Sequence, residues 1–325
     1  MNDYHVLIPD SLDDVALAVF ADVPSVHVTA SGNMDRAQTI AAIPQADALI
    51  IRSATQVDEE LLAAASKLRV VARAGVGVDN VDLAEATRRG VVVMNTPDGN
   101  TIAAAEHAFA LMLALARHVP QAHNSLASGA WDRKRFMGVE LRGKTLGLIG
   151  LGRIGRAVAR RASAFEMTVV AHDPFLPDPS LAAEIGVELV DLETLYARSD
   201  FISVHALVTD ETRDMINRDS IAAMKQGVRI VNVARGAIIN PSDLADAIRA
   251  GQVAGAAVDV YEEEPPPSGH PLIGLPGVIH TPHLGASTFD AQVQVALDAA
   301  KQVRDALLDG VYRNVVNPEA LPSAS

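Results

Sequence analysis

The sequence of 325 residues contains no cysteine, one tryptophan and only 4% aromatic residues. Without thiols the chain has no disulfide framework, no thiolate nucleophile and no cysteine-ligated zinc, and we predict no metal site. An excess of basic residues is also missing, since 27 Lys and Arg stand against 40 Asp and Glu, a formal net charge of −13. This balance argues against binding to nucleic acid or to an acidic membrane, although a local group of arginines would still suffice for a small anion.

Long apolar runs are lacking as well. The longest, "TIAAAEHAFALMLALARH" at 101–118, contains Glu106 and His107 and is shorter than the roughly 20 residues that a membrane span needs. The first ten residues, "MNDYHVLIPD", show no basic stretch followed by an apolar one, so they do not read as a signal peptide. We therefore expect a cytoplasmic protein without a membrane partner, and the chain length favours two domains.

Short β-branched runs alternate with helical stretches along nearly the whole chain. The first block contains "HVLIP", "ALIIR", "VVARA" and "VVVMN", and the second contains "TLGLIG", "MTVVAHD", "FISVHA", "VRIVNVA", "VAGAAVDV" and "GVIHTPH". Strands separated by helices indicate right-handed βαβ units and parallel sheets. The expected fold class is therefore α/β, with two doubly wound parallel-sheet domains.

Two helical segments predict how these blocks are connected. The segment 101–118 separates them and is apolar on most faces, which predicts burial between domains or at a subunit contact. The segment 287–310 reads as a long amphipathic helix that returns to the first block. We therefore expect a discontinuous domain of residues 1–98 and 286–325, with a second domain of residues 99–285 inserted in it.

Three glycines lie between a strand and a helix in "LGLIGLGRIGRAVARR". In that context Gly150 permits a tight turn, Gly152 lets a pyrophosphate approach the backbone, and Gly155 permits close packing of helix and strand. The helix N-terminus adds free N–H groups and the positive end of its dipole. The next strand ends in Asp173, whose carboxylate can accept both ribose hydroxyls of NAD and repels the 2′-phosphate of NADP. NAD is therefore the expected cofactor; the alternative is a glycine-rich turn of another α/β fold, with Asp173 capping a loop.

Polar residues suited to carbonyl chemistry follow three strands of the second block. Arg235, after "VRIVNVA", could bind a carboxylate through two hydrogen bonds. Glu264 and His283 follow the next two strands, and the carboxyl ends of neighbouring parallel strands meet at one edge of a sheet. Glu264 is therefore expected to hydrogen-bond His283, raise its pKa and keep it available as a proton donor near neutral pH. The plain alternatives are a surface arginine, a solvated glutamate and a loop histidine.

Seven motifs in order resemble the D-isomer-specific 2-hydroxyacid dehydrogenases, most of all their phosphoglycerate dehydrogenase branch. They are "RSATQVDEELL", "ARAGVGVDNVD", "NTPDGNTIAAAEHAFALML", "WDRKRFMGVELRGKTLGLIGLGRIG", "VNVARGAIIN", "GAAVDVYEEEP" and "TPHLGAST". The resemblance implies a Rossmann NAD-binding domain inserted in a flavodoxin-like substrate domain. It implies that Arg235 binds the substrate, that His283 donates a proton to the carbonyl oxygen and that Glu264 is its partner. It also implies a homodimer or homotetramer that dimerises through the cofactor domain.

The resemblance further implies contacts with cofactor and substrate. The residues implied at the cofactor are Val76, Gly150, Gly152, Arg153, Ile154, Gly155, Asp173, Ala206, Ala234, Asp259 and Gly285. The residues implied at the substrate are Arg52, Arg73, Gly75, Val76, Asn100, Arg133 and Arg135. Residues 133–135 would reach the substrate of a neighbouring subunit, and a solvated charge run is the alternative interpretation. Ala206 and Val76 depart from the threonine common in the family, and each departure is expected to remove a hydrogen bond to the cofactor.

The implied activity is NAD-dependent interconversion of a D-2-hydroxy acid and its 2-oxo acid. The expected pair is 3-phosphoglycerate and 3-phosphohydroxypyruvate, the first step of serine biosynthesis. Because the sequence ends soon after "NVVNPEAL", we expect no serine-sensing regulatory domain. A hydroxypyruvate or glyoxylate reductase is the alternative enzyme, and it would need fewer cations than a phosphorylated substrate. A second alternative is an NAD-sensing binding protein similar to the transcriptional corepressors of this fold.

Overall fold

The computed structural model describes residues 3–322, and the chain divides into two compact units. The first unit contains the residues up to Asn100 and those from Ala286 onward, and the second is Thr101–Gly285. The first boundary therefore falls two residues later than the sequence indicated. Each unit contains one parallel sheet, of five strands in the first and seven in the second. The predicted α/β class with two parallel sheets is confirmed.

The first unit alternates strands and short helices up to residue 95. Its strands are β1 (Tyr4–Ile8), β2 (Val26–Ala30), β3 (Ala48–Ile51), β4 (Val70–Arg73) and β5 (Val92–Asn95). Its helices in this part are α1 (Val15–Ala18), α2 (Arg36–Ala42), α3 (Glu59–Ala64) and α4 (Leu83–Arg88). The sheet order is β2-β1-β3-β4-β5, the doubly wound arrangement. Asp35, Asp58 and Asp82 begin α2, α3 and α4 by accepting a backbone N–H of the first turn, a common helix start.

The second unit begins with two helices and continues as a larger sheet. The helices are α5 (Thr101–Arg117), α6 (Val119–Ala127), α7 (Arg153–Ala164), α8 (Ser180–Ala183), α9 (Leu192–Arg198), α10 (Arg218–Ala222) and α11 (Pro241–Arg249). The strands are β6 (Thr145–Ile149), β7 (Thr168–His172), β8 (Glu188–Leu189), β9 (Phe201–Val204), β10 (Val228–Asn232), β11 (Val253–Val258) and β12 (Val278–His280). Their order is β12-β11-β10-β9-β6-β7-β8, so the order reverses beside β6. In such sheets ligands bind outside the carboxyl ends of the strands at this point.

The chain returns to the first unit through α12 (Phe289–Asp309), which Thr288 caps by accepting the N–H of Ala291. Its apolar face contains Val295, Ala299 and Val303, and it packs on the sheet of the first unit next to β3, β4 and β5. Successive side chains of a strand point to opposite faces of the sheet, so every second residue of these strands faces α12. Short 3₁₀ turns occur at Ile43–Gln45, Lys134–Phe136, Gly236–Ile238 and Pro318–Ala320.

The apolar segment that the sequence placed between the blocks forms α5 and ends at Arg117. It packs inside its own unit against α7, β10 and β11, and Ala105, Met112 and Ala116 on it are almost fully buried. His118 has a positive φ of 54°, and the chain bends there by 62° into α6. Within residues 3–322 no single helix is long and apolar enough to cross a membrane; α5 and α6 meet that length and composition only as a bent pair.

Candidate active site

The glycine turn after β6 has the shape of a phosphate cradle. Gly150 has a φ of +94°, and a Cβ atom there would lie 2.6 Å from the carbonyl oxygen of His205, so a larger residue would collide with backbone. Gly152 precedes the first residue of α7, and a Cβ built on it meets nothing within 4 Å. A Cβ on Gly155 would instead strike the carbonyl oxygen of Gly150. Tight packing on one side and open space before a helix N-terminus fit the diphosphate of a dinucleotide.

Asp173 follows β7 and is tied directly to this turn. One carboxylate oxygen accepts the N–H of Leu151 at 2.8 Å, and the other accepts the N–H of Phe175 at 3.0 Å. A carboxylate offers about four lone-pair sites, so two bonds to the backbone leave capacity for the hydroxyls of a ribose. Arg153 begins α7 on the same turn, and Ile154 packs against the apolar core.

Ala206 lies against the glycine turn, in the segment that follows the neighbouring strand β9. Its backbone nitrogen is 3.1 Å from the Cβ position of Gly150, and its methyl group offers no hydrogen bond. The residue before it, His205, hydrogen-bonds Ser203 through Nε2 at 2.9 Å. Burial lowers the pKa of His205 to about 4, so this imidazole is neutral at pH 7. We interpret His205 as a support for the turn.

The loop after β10 that carries Arg235 is fixed by a residue that the sequence analysis missed. Asn232 is 1% exposed; its side-chain oxygen accepts the N–H of Ala234 at 3.0 Å, and its amide donates to the carbonyl of Arg235 at 2.9 Å. At Gly236 the ideal Cβ position is 2.5 Å from the Cα of Tyr261, so only glycine lets these two loops lie against each other. The exit loops of β10 and β11 are therefore adjacent.

Glu264 and His283 form the contact that the sequence analysis predicted. The second carboxylate oxygen of Glu264 is 2.6 Å from His283 Nδ1, and the first accepts the N–H of Tyr261 at 3.1 Å. The carboxylate is thus held by the backbone while it orients the imidazole. His283 has a φ of +54°, a conformation uncommon for residues other than glycine and often associated with functional sites. Because Nδ1 is engaged and half of the side chain is exposed, Nε2 is the atom that can exchange a proton with a substrate.

A fully buried carboxylate, Asp259, holds the loop that contains His283. It accepts the Thr281 hydroxyl at 2.6 Å and the N–H groups of Leu284 and Gly285 at 2.8 Å each. Its backbone carbonyl accepts the N–H of His283, also at 2.8 Å. Asp259 therefore bonds residues on both sides of the imidazole and sets the path of this loop, a role beyond the one that the resemblance implies for it at the nicotinamide.

His107, on α5, is a second residue of this site that the sequence analysis missed. Its Nε2 lies 3.2 Å from a carboxylate oxygen of Asp259 and 3.2 Å from the Thr281 hydroxyl. Burial alone would raise the pKa of Asp259, but hydrogen bonds from His107, Thr281 and the N–H of Leu284 outweigh it and hold that pKa below its ordinary value. The sequence signal was a histidine, next to Glu106, inside a mostly apolar helix.

The first unit contains five of the expected substrate residues. Arg52 follows β3, and its N–H donates to the buried carboxylate of Asp10 at 2.6 Å. The side chain of Arg52 reaches the carbonyl of Ser11 at 3.3 Å, so the arginine is held at the carboxyl end of the sheet. The remaining four, Arg73, Gly75, Val76 and Asn100, are close to β4 and β5.

Arg73 is the last residue of β4, and its guanidinium lies over Gly75, with Nε 3.3 Å from the ideal Cβ position. The carbonyl of Val76 accepts the side-chain amide of Asn95 at 2.6 Å. The side-chain oxygen of Asn100 is buried and has no hydrogen-bond partner within residues 3–322, as expected of an atom that a bound molecule would satisfy. These groups follow neighbouring strands of one sheet, where ligands bind in doubly wound folds.

The basic run 133–135 belongs to the second unit. Lys134 and Arg135 are in a 3₁₀ turn that starts after Arg133, and all three are exposed. The guanidinium of Arg135 lies 5.6 Å from the centre of the Phe136 ring. This placement is compatible with both interpretations of the run, a solvated charge run and a contact with a neighbouring subunit.

Comparisons with known proteins identify the family. Residues 109–285 match the model of the D-isomer specific 2-hydroxyacid dehydrogenase, NAD binding domain, and the chain belongs to this family. It is 50% identical over 299 residues to a D-3-phosphoglycerate dehydrogenase of Archaeoglobus fulgidus, covering 92% of this chain and 56% of that protein. The chain thus spans little more than half the length of that relative. NAD is the cofactor that this domain binds.

Solved structures agree with this assignment. A protein of Thermus thermophilus superposes with a TM-score of 0.86 at 36% identity, covering 96% of this chain and 99% of that one. A glyoxylate reductase of Paecilomyes thermophila superposes with a TM-score of 0.87 at 29% identity, covering 97% and 99%. Each match covers almost the whole of this chain, so the likeness extends beyond the NAD-binding domain.

Proposed function

We propose that this protein is an NAD-dependent dehydrogenase that interconverts 3-phosphoglycerate and 3-phosphohydroxypyruvate. The observation that carries the proposal is the Glu264–His283 pair, 2.6 Å apart, beside the arginine loop of the same sheet edge. The 50% identity to a D-3-phosphoglycerate dehydrogenase supports the choice of substrate. The reaction would be the first step of serine biosynthesis.

Each side chain of the site has a separate role in the proposed reaction. The glycine turn and Asp173 would hold NADH, which would supply the hydride. Arg235 binds the substrate carboxylate through its guanidinium, a planar donor that matches a carboxylate. In the reductive direction His283 donates the proton on Nε2 to the carbonyl oxygen, and in the oxidative direction it takes a proton from the hydroxyl. Glu264 orients the ring, because its carboxylate accepts from Nδ1 at 2.6 Å.

The phosphate of the proposed substrate requires cations in addition to Arg235. Arg52 follows β3 and Arg73 ends β4 in the first unit, and we assign both to that phosphate. The exposed run at 133–135 would add charge from a neighbouring subunit. Hydroxypyruvate or glyoxylate reduction is the second candidate, and the superposition with a glyoxylate reductase supports it. Such a substrate has no phosphate and would not depend on Arg52 or Arg73.

A substrate panel separates these candidates. We expect NADH oxidation, followed by absorbance, to be fastest with 3-phosphohydroxypyruvate and much slower with hydroxypyruvate and glyoxylate. Arg52→Gln should lower kcat/KM for the phosphorylated substrate by about tenfold to a hundredfold, since a hydrogen-bonded charge pair contributes roughly 1.5–3 kcal/mol. It should leave hydroxypyruvate reduction nearly unchanged. Arg249→Gln, an exposed arginine on α11, is the matched control.

Two outcomes would contradict the proposed substrate. Equal loss with both substrates in Arg52→Gln would remove Arg52 from phosphate recognition. Preference for glyoxylate or hydroxypyruvate in the unmodified protein would establish the second candidate. Binding of NADH without turnover of any 2-oxo acid would instead favour an NAD-sensing binding protein, although the Glu264–His283 contact supports an enzyme.

Asp173 should control the choice between NAD and NADP. Asp173→Ala is expected to weaken NAD binding by about tenfold to a hundredfold and to reduce the discrimination against NADP, because the ribose loses a charged acceptor. Asp173→Asn keeps an acceptor for the N–H of Leu151 and loses the charge, so it separates the electrostatic effect from support of the turn. Titration of both cofactors measures this, with Asp178→Asn on the following loop as the control. An unchanged cofactor preference in both Asp173 variants would exclude the residue.

We also propose that the protein acts in the cytoplasm as a homodimer or homotetramer. Large apolar side chains on α6 and the segment after it support association. Leu126 is 55% exposed, Trp131 77% and Met137 79%. Exposed apolar side chains that form a contiguous patch mark contacts between subunits, and these three would be covered in such a contact.

A further inference from the structure

A second group of positive charges occurs in the second unit, at the end of its sheet opposite to the glycine turn. A cleft of about 190 Å³ opens where β6, β9 and β10 begin, and it is lined by Lys144, Lys225 and Arg229. Asp200 is the one carboxylate among its lining residues. We call this site the basal cleft. Three cations against one carboxylate give it a net positive charge in a chain whose formal net charge is −13.

Asp200 balances only part of this charge. One of its oxygens accepts the N–H of Thr145 at 2.8 Å, and the other is 3.2 Å from Lys225 Nζ. Each oxygen of the carboxylate therefore already has one partner, and Lys225 has its counter-charge. Within residues 3–322 the ammonium group of Lys144 forms no ion pair or hydrogen bond. One positive charge on this side of the cleft is left without an opposing group.

Arg229 provides a second cation, and its surroundings supply few hydrogen-bond acceptors for its guanidinium. The guanidinium is half-buried, lies 5.5 Å from the centre of the Phe201 ring and donates one long bond of 3.4 Å to the carbonyl of Gly227. Burial lowers the pKa of Arg229, and the charge of Asp200 offsets this only in part. Removing a cation from water is costly unless an anion or several acceptors take the place of the solvent. The cleft beside it has room for such an anion.

We propose that the basal cleft binds a phosphate-sized oxyanion, at a site separate from the substrate. Lys144 and Arg229 would bind the oxyanion from two sides, with the Phe201 ring holding the guanidinium plane in place. Lys144 precedes β6 and Arg229 is in β10, so a bound oxyanion would join segments on either side of β9. Free inorganic phosphate and the phosphoryl group of a small metabolite share this chemistry. Binding should therefore stabilise the unit that contains the nucleotide turn.

Calorimetric titration with inorganic phosphate, at constant ionic strength, tests the proposal on the full chain. Because phosphate should also bind the arginines of the substrate site, we expect two classes of site in the unmodified protein. Lys144→Gln/Arg229→Gln should lose one class, with binding there weakened more than tenfold, and Arg52→Gln, which alters the substrate site, should keep it. Arg249→Gln is the control for loss of one surface charge, and glycerol 3-phosphate as a second probe distinguishes the free ion from a phosphoryl group.

Asp200→Asn provides a test in the opposite direction and does not depend on removing the cations. It keeps an acceptor for the N–H of Thr145 and removes the one negative charge in the lining, so phosphate should bind the basal cleft about threefold to tenfold more tightly. Binding that is unchanged in Lys144→Gln/Arg229→Gln, or weakened in Asp200→Asn, would overturn the proposal. Circular dichroism establishes that each variant is folded; if the double variant does not fold, the Asp200→Asn result decides.

Discussion

His283→Ala is expected to lower the rate of 2-oxo acid reduction by roughly 10²–10⁴-fold, the scale of a lost general acid. The imidazole is the group whose Nε2 remains available once Glu264 engages Nδ1, and alanine leaves no donor at that point. NADH affinity should change little, because the glycine turn and Asp173 are on other loops. Stopped-flow reduction rates and a separate NADH titration measure the two quantities.

His27→Ala is the matched control for this variant. His27 is an exposed residue of β2 in the first unit, and its removal should leave the rate within a factor of about two. Near-normal turnover in His283→Ala would end the proposed mechanism. Equal loss of NADH binding would show that His283 holds the cofactor and is not the proton donor.

The neighbouring carboxylate should affect turnover through the position of the imidazole. In Glu264→Gln the ring loses a charged hydrogen-bond acceptor at 2.6 Å, so the reduction rate should fall by about tenfold to a hundredfold. Glu263→Gln, at the preceding position, removes the same charge without the contact and should leave the rate within a factor of about two. Turnover of the two variants, measured with NADH affinity determined separately, compares them.

Asp259→Asn is expected to have the largest effect on stability of any change in the site. The carboxylate is fully buried and accepts hydrogen bonds from Thr281, Leu284 and Gly285, with His107 as a fourth donor. An amide in its place turns an NH₂ group toward these donors. Loss of charged hydrogen bonds in the interior should lower the free energy of unfolding by about 2–4 kcal/mol. Turnover should fall as well, because the loop that contains His283 is held from this residue. Chemical denaturation and activity assays measure the two effects.

The pH dependence of that stability has a definite sign. The pKa of Asp259 is lower in the folded protein than its ordinary value, because its hydrogen bonds outweigh the effect of burial. Its contribution is therefore present above the unfolded pKa of about 3.9 and is lost as the pH falls through the folded value. Asp259→Asn should lack this acid-dependent component. Asp246 is an exposed partner of Arg249, and Asp246→Asn should change the free energy of unfolding by no more than about 0.5 kcal/mol. This control variant should retain the acid-dependent component that Asp259 contributes.

Local pattern was enough to predict most of the strands and the nucleotide turn. The runs that became β1, β3 to β7 and β9 to β12 are mostly apolar on both faces, as expected of strands covered by helices on each side. The sequence analysis missed β2 and β8. Both lie at sheet edges, β8 has only two residues, and β2 buries Val26 alone, so neither has the continuous apolar run that marked the others.

The sequence by itself determined which residue types follow which strands, and the order of parallel strands then predicted that Glu264 and His283 would meet. It did not reveal the residues that hold them. His107 is 174 positions from Thr281, and the bond between them exists because α5 packs beside β11. Asn232 and Asp259 likewise act on backbone N–H and carbonyl groups, which every residue possesses and no sequence pattern marks. The tertiary structure alone decided these contacts, because a hydrogen bond depends on distance and angle between atoms brought together by packing.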